Sequence, residues 1–374
     1  MGGEGPSALS VGALALAALG ALLLSAPAPA AAAPAWQRWV HVVDGAFDVA
    51  GPRSDGRLVV AGSGRLALVD PSGRVTPFAA GPAGYHDDPG EEAYMALSPG
   101  LRLAAAGCGF ARDDLFVLRL HPPLGVTRVT AGGTAGPFAE VPGAASLDGI
   151  AFDLTGSFGF RLLVSGQAPG GTMVAAVDCR GGVSVVATAA PVFEGGLAVA
   201  PAGFGPFGGA LVAADELSGR LYAIDAGGGV RTIASSGLPA GPDTGVESVG
   251  FLPPGFARGG SVYYADRGPD DLLRLDARPL ARAGLRDGDL LAATENGALA
   301  VGVRCAATCD VVPVVTAASP AHGEGHLALV PGTPGRTRGT AAAGLEAAAG
   351  AAGAAAVLLV GLALLALARR RASR

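Results

Sequence analysis

From residue 44 to about residue 331 the chain alternates short apolar runs with tight breaks at Gly, Pro, Asp or Ser. The runs last four to eight residues, too short for helices, and many alternate apolar and small or polar positions. That is the pattern of β-strands with one or both faces buried. It also recurs. An acidic residue precedes or opens a short strand in DGAFDVAGP (44–52), EAYMALSPG (92–100), DGIAFDLTG (148–156), EGGLAVAPAG (194–203), ESVGFLPPG (247–255) and EGHLALVPG (324–332). A second strand follows each of the first five, in GRLVVAGSG (56–64), LRLAAAGCG (101–109), FRLLVSGQA (160–168), GALVAADEL (209–217) and GSVYYADRG (260–268), and DLLAATENG (289–297) adds a sixth. A third ends in Asp in RLALVD (65–70), MVAAVD (173–178), RLYAID (220–225) and LLRLD (272–276). A fourth completes the unit in GRVTPFAA (73–80), GVTRVTAG (125–132), GGVSVVATA (181–189) and GVRTIASS (229–236), with VVPVVTA (311–317) as a late copy.

The first five units start 46 to 56 residues apart. Four short strands per unit at that period, joined by Gly/Pro turns, specify the blade of a β-propeller. A β-sandwich also has regular short strands, but the shared four-strand order favours the propeller. The fold class expected is all-β: a six-bladed propeller of four-stranded blades, with residues 324–330 arriving last as the innermost strand of the sixth blade. Closure of this kind removes exposed strand edges.

The two ends are read differently. Residues 11–24 (VGALALAALGALLL) are uninterruptedly apolar or small and lead into SAPAPAAAAPA, the h-region and cleavage region of a signal peptide over 1–34. Residues 347–368 hold no charge and end in VLLVGLALLALA. At about 1.5 Å per residue they would span a bilayer. Arg369, Arg370, Arg371 and Arg374 follow, and a basic cluster beside a membrane helix stays on the cytoplasmic side. The expected order is therefore signal peptide (1–34), propeller ectodomain (35–331), Gly/Ala-rich linker (332–346), single transmembrane helix (347–368) and basic cytoplasmic tail (369–374). The propeller would lie outside the cell membrane.

Composition then narrows the chemistry. The chain has 374 residues, a net charge of −5 and 26 basic residues, every one of them arginine. Without 1–34 and 341–374 there remain 22 arginines and 29 acids, a net charge of −7. An acidic, lysine-free chain with 5% aromatics does not suit nucleic-acid binding. The wealth of Ala, Gly, Arg and Pro fits a GC-rich, bacterial genome. Four cysteines, an even number, suggest disulfides in an exported domain. A C-x3-C bridge between Cys305 and Cys309 would leave Cys108 with Cys179, although three connectivities are formally open.

GALVAADELSGRLYAIDAGGGVRTIA (209–234), SVYYADRGPDDLLRLD (261–276) and RLALVDPSGRVTPFA (65–79) resemble blades of the NHL-repeat and gluconolactonase-like propellers. The resemblance covers about 44–331 and rests on turn and packing residues. It implies a propeller fold and, for the gluconolactonase-like enzymes, a divalent metal near one channel mouth held by Glu, Asn and Asp. Asn296 is the only asparagine of this chain, which departs from that ligand pattern.

The aligned acids Asp44, Glu92, Asp148, Glu194, Glu247 and Glu324 enter the innermost strands and so should ring one mouth of the channel. Converging carboxylates raise one another's pKa or bind a hard cation. Glu92, Asp148, Glu194, Glu247 and Glu324 are the candidate ligands for Ca²⁺ or another divalent cation, although such acids also cap turns or pair with arginine. Two further candidates are the acidic loop GYHDDPGEEAY (84–94), with His86, Asp87, Asp88, Glu91 and Glu92, and the triplet His322, Glu324 and His326, which would share one face if extended. No G-x-S-x-G elbow, phosphate loop or dinucleotide fingerprint is present, so no catalytic residues are named. The function expected is an extracytoplasmic binding module for an unidentified ligand or protein. The alternative is a metal-dependent, lactonase-like hydrolase acting at the channel mouth.

Overall fold

The computed structural model describes residues 34–42, 44–87 and 91–332. The signal-peptide, linker, transmembrane and tail readings fall outside these residues, apart from Pro34 at the end of the first and Gly332 at the start of the linker. Among the described residues no helix is long and apolar enough to cross a membrane.

Six four-stranded antiparallel sheets are present. Their innermost strands are Ala46–Ala50, Met95–Leu97, Gly149–Phe152, Ala198–Val199, Val246–Phe251 and Gly323–Val330. Each touches the next and the last touches the first, so they form a closed ring. The structure is the six-bladed propeller that the repeat predicts.

Blades 1, 3 and 4 follow the sequence reading strand for strand. Blade 1 continues through Leu58–Gly62, Arg65–Val69 and Val75–Phe78. Their repeated Asp has a local cause. Asp70, Asp178 and Asp225 each end a third strand, and each Oδ1 accepts two backbone N–H bonds from the turn that follows: Ser72 and Arg74 at 2.8 and 3.1 Å, Arg180 and Gly182 at 2.8 Å, Gly227 and Gly229 at 2.9 and 3.0 Å. The turns need a left-handed residue, supplied by Gly73, Gly181 and Gly228 at φ 87°, 83° and 83°.

Blade 2 departs from expectation. Residues 101–109, read as its second strand, form a two-residue hairpin (Arg102–Leu103 with Cys108–Gly109) around a 3-10 turn. The blade's second strand is Leu115–Arg119, followed by Gly125–Val129 and Ala135–Glu140. Residues 125–129, read as a fourth strand, are therefore the third.

Blades 5 and 6 are interleaved. The innermost strand Val246–Phe251 pairs not with Ser261–Asp266 but with Leu290–Thr294, and Ala300–Cys305 and Cys309–Val315 complete blade 5. Ser261–Asp266 and Asp271–Asp276 are the middle strands of blade 6, whose innermost strand is Gly323–Val330 as expected. Its outermost strand, Gln37–His41, comes from the N-terminal side of the propeller. Blade 6 thus joins both ends of the ring. Trp36 and Trp39 lie against Tyr264 and Tyr263 there, with ring centroids 5.8 and 4.8 Å apart. Asp276 ends a third strand like the other repeated acids, but the short helix Ala277–Arg282 follows it, carrying the chain back towards blade 5.

Both disulfides form: Cys108–Cys179 ties the blade 2 hairpin to a blade 3 turn, and Cys305–Cys309 closes a blade 5 hairpin.

Candidate functional site

The innermost strands all run the same way along the channel, so their starts gather at one mouth. Each second strand runs antiparallel to its innermost neighbour, and its end therefore returns to that mouth. The first tier holds Glu92, Asp148, Glu194, Glu247 and Glu324. The second holds Gln167, Glu216, Arg267 and Glu295.

Glu324 is the centre. It is 3% exposed, and its Oε1 lies 2.6 Å from the Tyr94 hydroxyl, which is also 3.1 Å from Glu247 Oε1 and 3.5 Å from Glu92 Oε2. One phenolic proton cannot serve three carboxylates. Glu247, 2% exposed, is the carboxyl whose protonated form is favoured there: burial first, then the charges of Glu324 and Glu194, raise its pKa well above the ordinary range. Gly195 makes this packing possible, since a Cβ there would overlap Glu247 Oε1.

Two basic side chains face this surplus of acid. Arg267 pairs with Glu92 and lies 3.6 Å from Glu324 Oε2. His322 Nε2 lies 2.7 Å from Glu295 Oε1 and 3.6 Å from Glu324 Oε2. Its pKa is raised, first by Glu324 and further by Glu295, against the opposing effect of burial. Glu295 is pushed up to about 8 by burial and by Glu324, and Glu194 to about 7 by desolvation and by Glu216, Asp148 and Glu324. Beside them the Tyr264 hydroxyl is wholly buried and has no hydrogen-bond partner among the described residues. Its titration is pushed up by burial and by Glu247, Glu324 and Glu295.

Of the five expected ligands, Glu92, Glu247 and Glu324 meet at Tyr94. Glu194 faces Glu216 and Asp148 at the rim. Asp148 accepts a bond from Gln167 Nε2 at 2.9 Å. Glu216 is absorbed structurally, accepting from the backbone N–H of Thr244 and Gly245 at 3.0 and 3.3 Å. Asp44 does not join the ring; it makes a 3.7 Å pair with Arg65, both side chains being solvent-exposed. Of the acids and the histidine of the 84–94 loop, only Glu92 reaches the site among the described residues, beside Tyr94 at the loop's end. Asp87 instead lies 3.0 Å from the Tyr85 hydroxyl and 3.4 Å from His121, and Asp88 lies outside the described residues.

The expected face of His322, Glu324 and His326 is split by Gly325, whose φ of 69° interrupts the extended alternation. His322 and Glu324 stay at the mouth. His326 turns down the channel to Asp48, an acid of the innermost strand of blade 1 with no solvent exposure. Its Nδ1 is 3.1 Å from both Asp48 oxygens, and Nε2 is 2.8 Å from Ile150 O. Both ring nitrogens face acceptors, so both carry protons. Burial opposes that charge, but Asp48 and the Ile150 carbonyl outweigh it and raise the pKa. Asp48 also accepts from the backbone N–H of Val49, Met95 and His326 at 2.8, 2.7 and 2.7 Å. It is a hub joining blades 1, 2 and 6, with His326 extending it to blade 3.

Donor atoms of Glu295, His322 and Glu324 lie within 4.8 Å of one another, the one such metal-capable group among the described residues. Glu295 escaped the sequence reading because it follows a second strand. The signal was the polar residue closing such strands, seen in GQ (166–167), DE (215–216), DR (266–267) and TE (294–295).

No family model matches the chain, and no curated protein matches it. Solved structures do. Virginiamycin B lyase from Staphylococcus aureus is 10% identical over 76% of this chain and 92% of its own, with a TM-score of 0.42. For the quinupristin complex of an inactive variant of that lyase, the chain spans only 65% of the matched structure's length. A protein of unknown function from Bacteroides thetaiotaomicron is 9% identical over 77% of this chain and 67% of its own, TM-score 0.43. A structure assigned as a gluconolactonase is 17% identical over 66% and 93%, TM-score 0.32. Similarity this distant carries nothing about the site, which is read from its own geometry.

Proposed function

We propose that the protein is an exported, membrane-anchored binding module that holds a divalent cation at the acidic mouth of its propeller. Glu295, His322 and Glu324 are the protein donors in this reading. The observation that carries it is their convergence within 4.8 Å, beside a surplus of carboxyls and a buried, unpartnered Tyr264 hydroxyl. A buried polar atom without a partner is costly, and two carboxyl groups converging with an imidazole are a donor set that fits a divalent metal. Carboxylates suit Ca²⁺, Mg²⁺ and Mn²⁺, and an imidazole shifts the preference towards Mn²⁺ or Zn²⁺. Export and anchoring rest on the apolar run 11–24, the uncharged run 347–368 and its arginine cluster, and agree with two disulfides, which persist in oxidising compartments.

The test is thermal melting of the full chain with Ca²⁺ or Mn²⁺. At a hundred times Kd a bound cation stabilises by about 2.7 kcal/mol, and Glu324→Gln should abolish the rise. An unchanged melting temperature at millimolar cation would defeat the reading. A second reading is favoured by the 2.7 Å contact of His322 with Glu295: a histidine–carboxylate pair beside a cation is equipped for general acid–base work on a bound lactone. Metal-dependent δ-lactone hydrolysis that His322→Ala removes would support it, and its absence would leave the binding module.

A further inference from the structure

The opposite end of the channel holds a cavity of about 360 Å³, which shares no residue with the acidic cluster. It is built from the far ends of the innermost strands, and its walls are largely apolar, with Ile150, Phe152, Leu197 and Leu327 among them. Its floor is the His326 ring, and Leu154, 61% exposed, stands at its rim. This size and lining match a small-molecule pocket.

Its polar side chains can be accounted for one by one. His326 is satisfied at both nitrogens by Asp48 and Ile150 O. The Asp113 carboxylate takes the Ser54 backbone N–H at 2.9 Å and the Ser54 hydroxyl. Ser98 Oγ takes the Gly100 N–H at 3.2 Å. Arg112 remains. It lines the cavity, is exposed, and has no hydrogen bond or ion pair among the described residues.

We infer that this cavity binds an amphipathic carboxylate: an unbranched alkyl chain entering the channel, with its carboxylate paired to Arg112. The wall side chains supply no partner for a polar tail, and Arg112 is the one lining side chain whose charged group has neither a hydrogen bond nor an ion pair among the described residues, which favours an anionic head at that residue and an apolar tail within. The Asp48–His326 hub ends the apolar path and sets the tail's length. This site does not depend on the cation reading for the other mouth.

The experiment is calorimetric titration of the full-length protein with hexanoate, octanoate and decanoate, and with decanol. Each buried methylene should tighten binding about fourfold. Arg112→Gln should weaken decanoate at least tenfold, the value of a charge-assisted bond, and leave decanol unchanged. Because Arg112 is exposed and unpaired, the variant should melt at the wild-type temperature. Glu324→Gln should leave decanoate binding intact. Absence of saturable decanoate binding, equal binding by the Arg112→Gln variant, or loss of binding in the Glu324→Gln variant would overturn the assignment.

Discussion

Replacing Asp48 with alanine removes a side chain that ties three innermost strands together. The carboxylate has no solvent exposure, accepts three backbone N–H bonds and faces a protonated His326. Removing one partner of a buried ion pair costs about 3–5 kcal/mol. The stranded N–H groups of Met95 and His326 add about 1–3 kcal/mol each, less whatever water recovers. A loss of at least about 4 kcal/mol is therefore expected. Asp48→Asn keeps an acceptor oxygen and should lose less. Urea denaturation followed by tryptophan fluorescence is the assay, because the chain's two tryptophans pack in blade 6, where the ring closes. The pH dependence gives an independent check. The folded pKa of His326 is raised, so the stability it contributes is complete below the unfolded value near 6.5 and is lost as pH rises through the folded value. The gap between wild type and Asp48→Asn should narrow over that rise. An Asp48→Ala variant within about 1 kcal/mol of wild type, the size of an ordinary surface change, would refute the hub.

Other consequences are open to direct measurement. Glu295 and Glu194 titrate near 8 and 7 in the folded protein, above the ordinary 4.5, so the folded state holds protons that the unfolded state has lost. Stability of the metal-free protein should then fall as pH rises from about 4.5 to 8. Glu247→Gln, which mimics the protonated acid, should raise the melting temperature most at the alkaline end; a wild-type melting temperature that climbs across this range would contradict the protonated cluster. The Cys108–Cys179 bond spans 71 residues of sequence, and losing it through the double Cys→Ala variant should cost about 4 kcal/mol by loop-closure entropy, read in the same urea assay. A cost below about 1 kcal/mol would show that this bond does not restrain the unfolded chain.

Much of this architecture is written locally. The Asp that ends the third strand serves its own turn through bonds two and four residues ahead, so it marks a hairpin wherever it occurs. Blades 1, 3 and 4 are legible for that reason. Which strands pair across the sequence is not local. GSVYYADRG follows the strand at 247 and alternates correctly, yet it pairs with residues 323–330, because antiparallel pairing depends on both partners and on ring closure. Gln37–His41 carries the same limit, since its partner lies more than 230 residues away. LRLAAAGCG has strand alternation, but the left-handed Gly107 closes it into a hairpin held by Cys108. At the site, acids at the starts of innermost strands were readable from the repeat. Tyr94, Arg267 and Glu295 were not, because their roles arise only when second-strand ends meet first-strand starts. Asp48 was hidden as a charge inside an apolar run, where only its burial among backbone donors reveals its purpose.

The central claim is that the acidic mouth is a cation site, and anomalous diffraction from crystals soaked in Mn²⁺ tests it most directly. The account predicts a peak bounded by Glu295, His322 and Glu324, at oxygen and nitrogen distances of roughly 2.0–2.4 Å, that disappears in the Glu324→Gln variant. A mouth without a peak, with Tyr94 still shared between Glu247 and Glu324 and His322 still against Glu295, would contradict it.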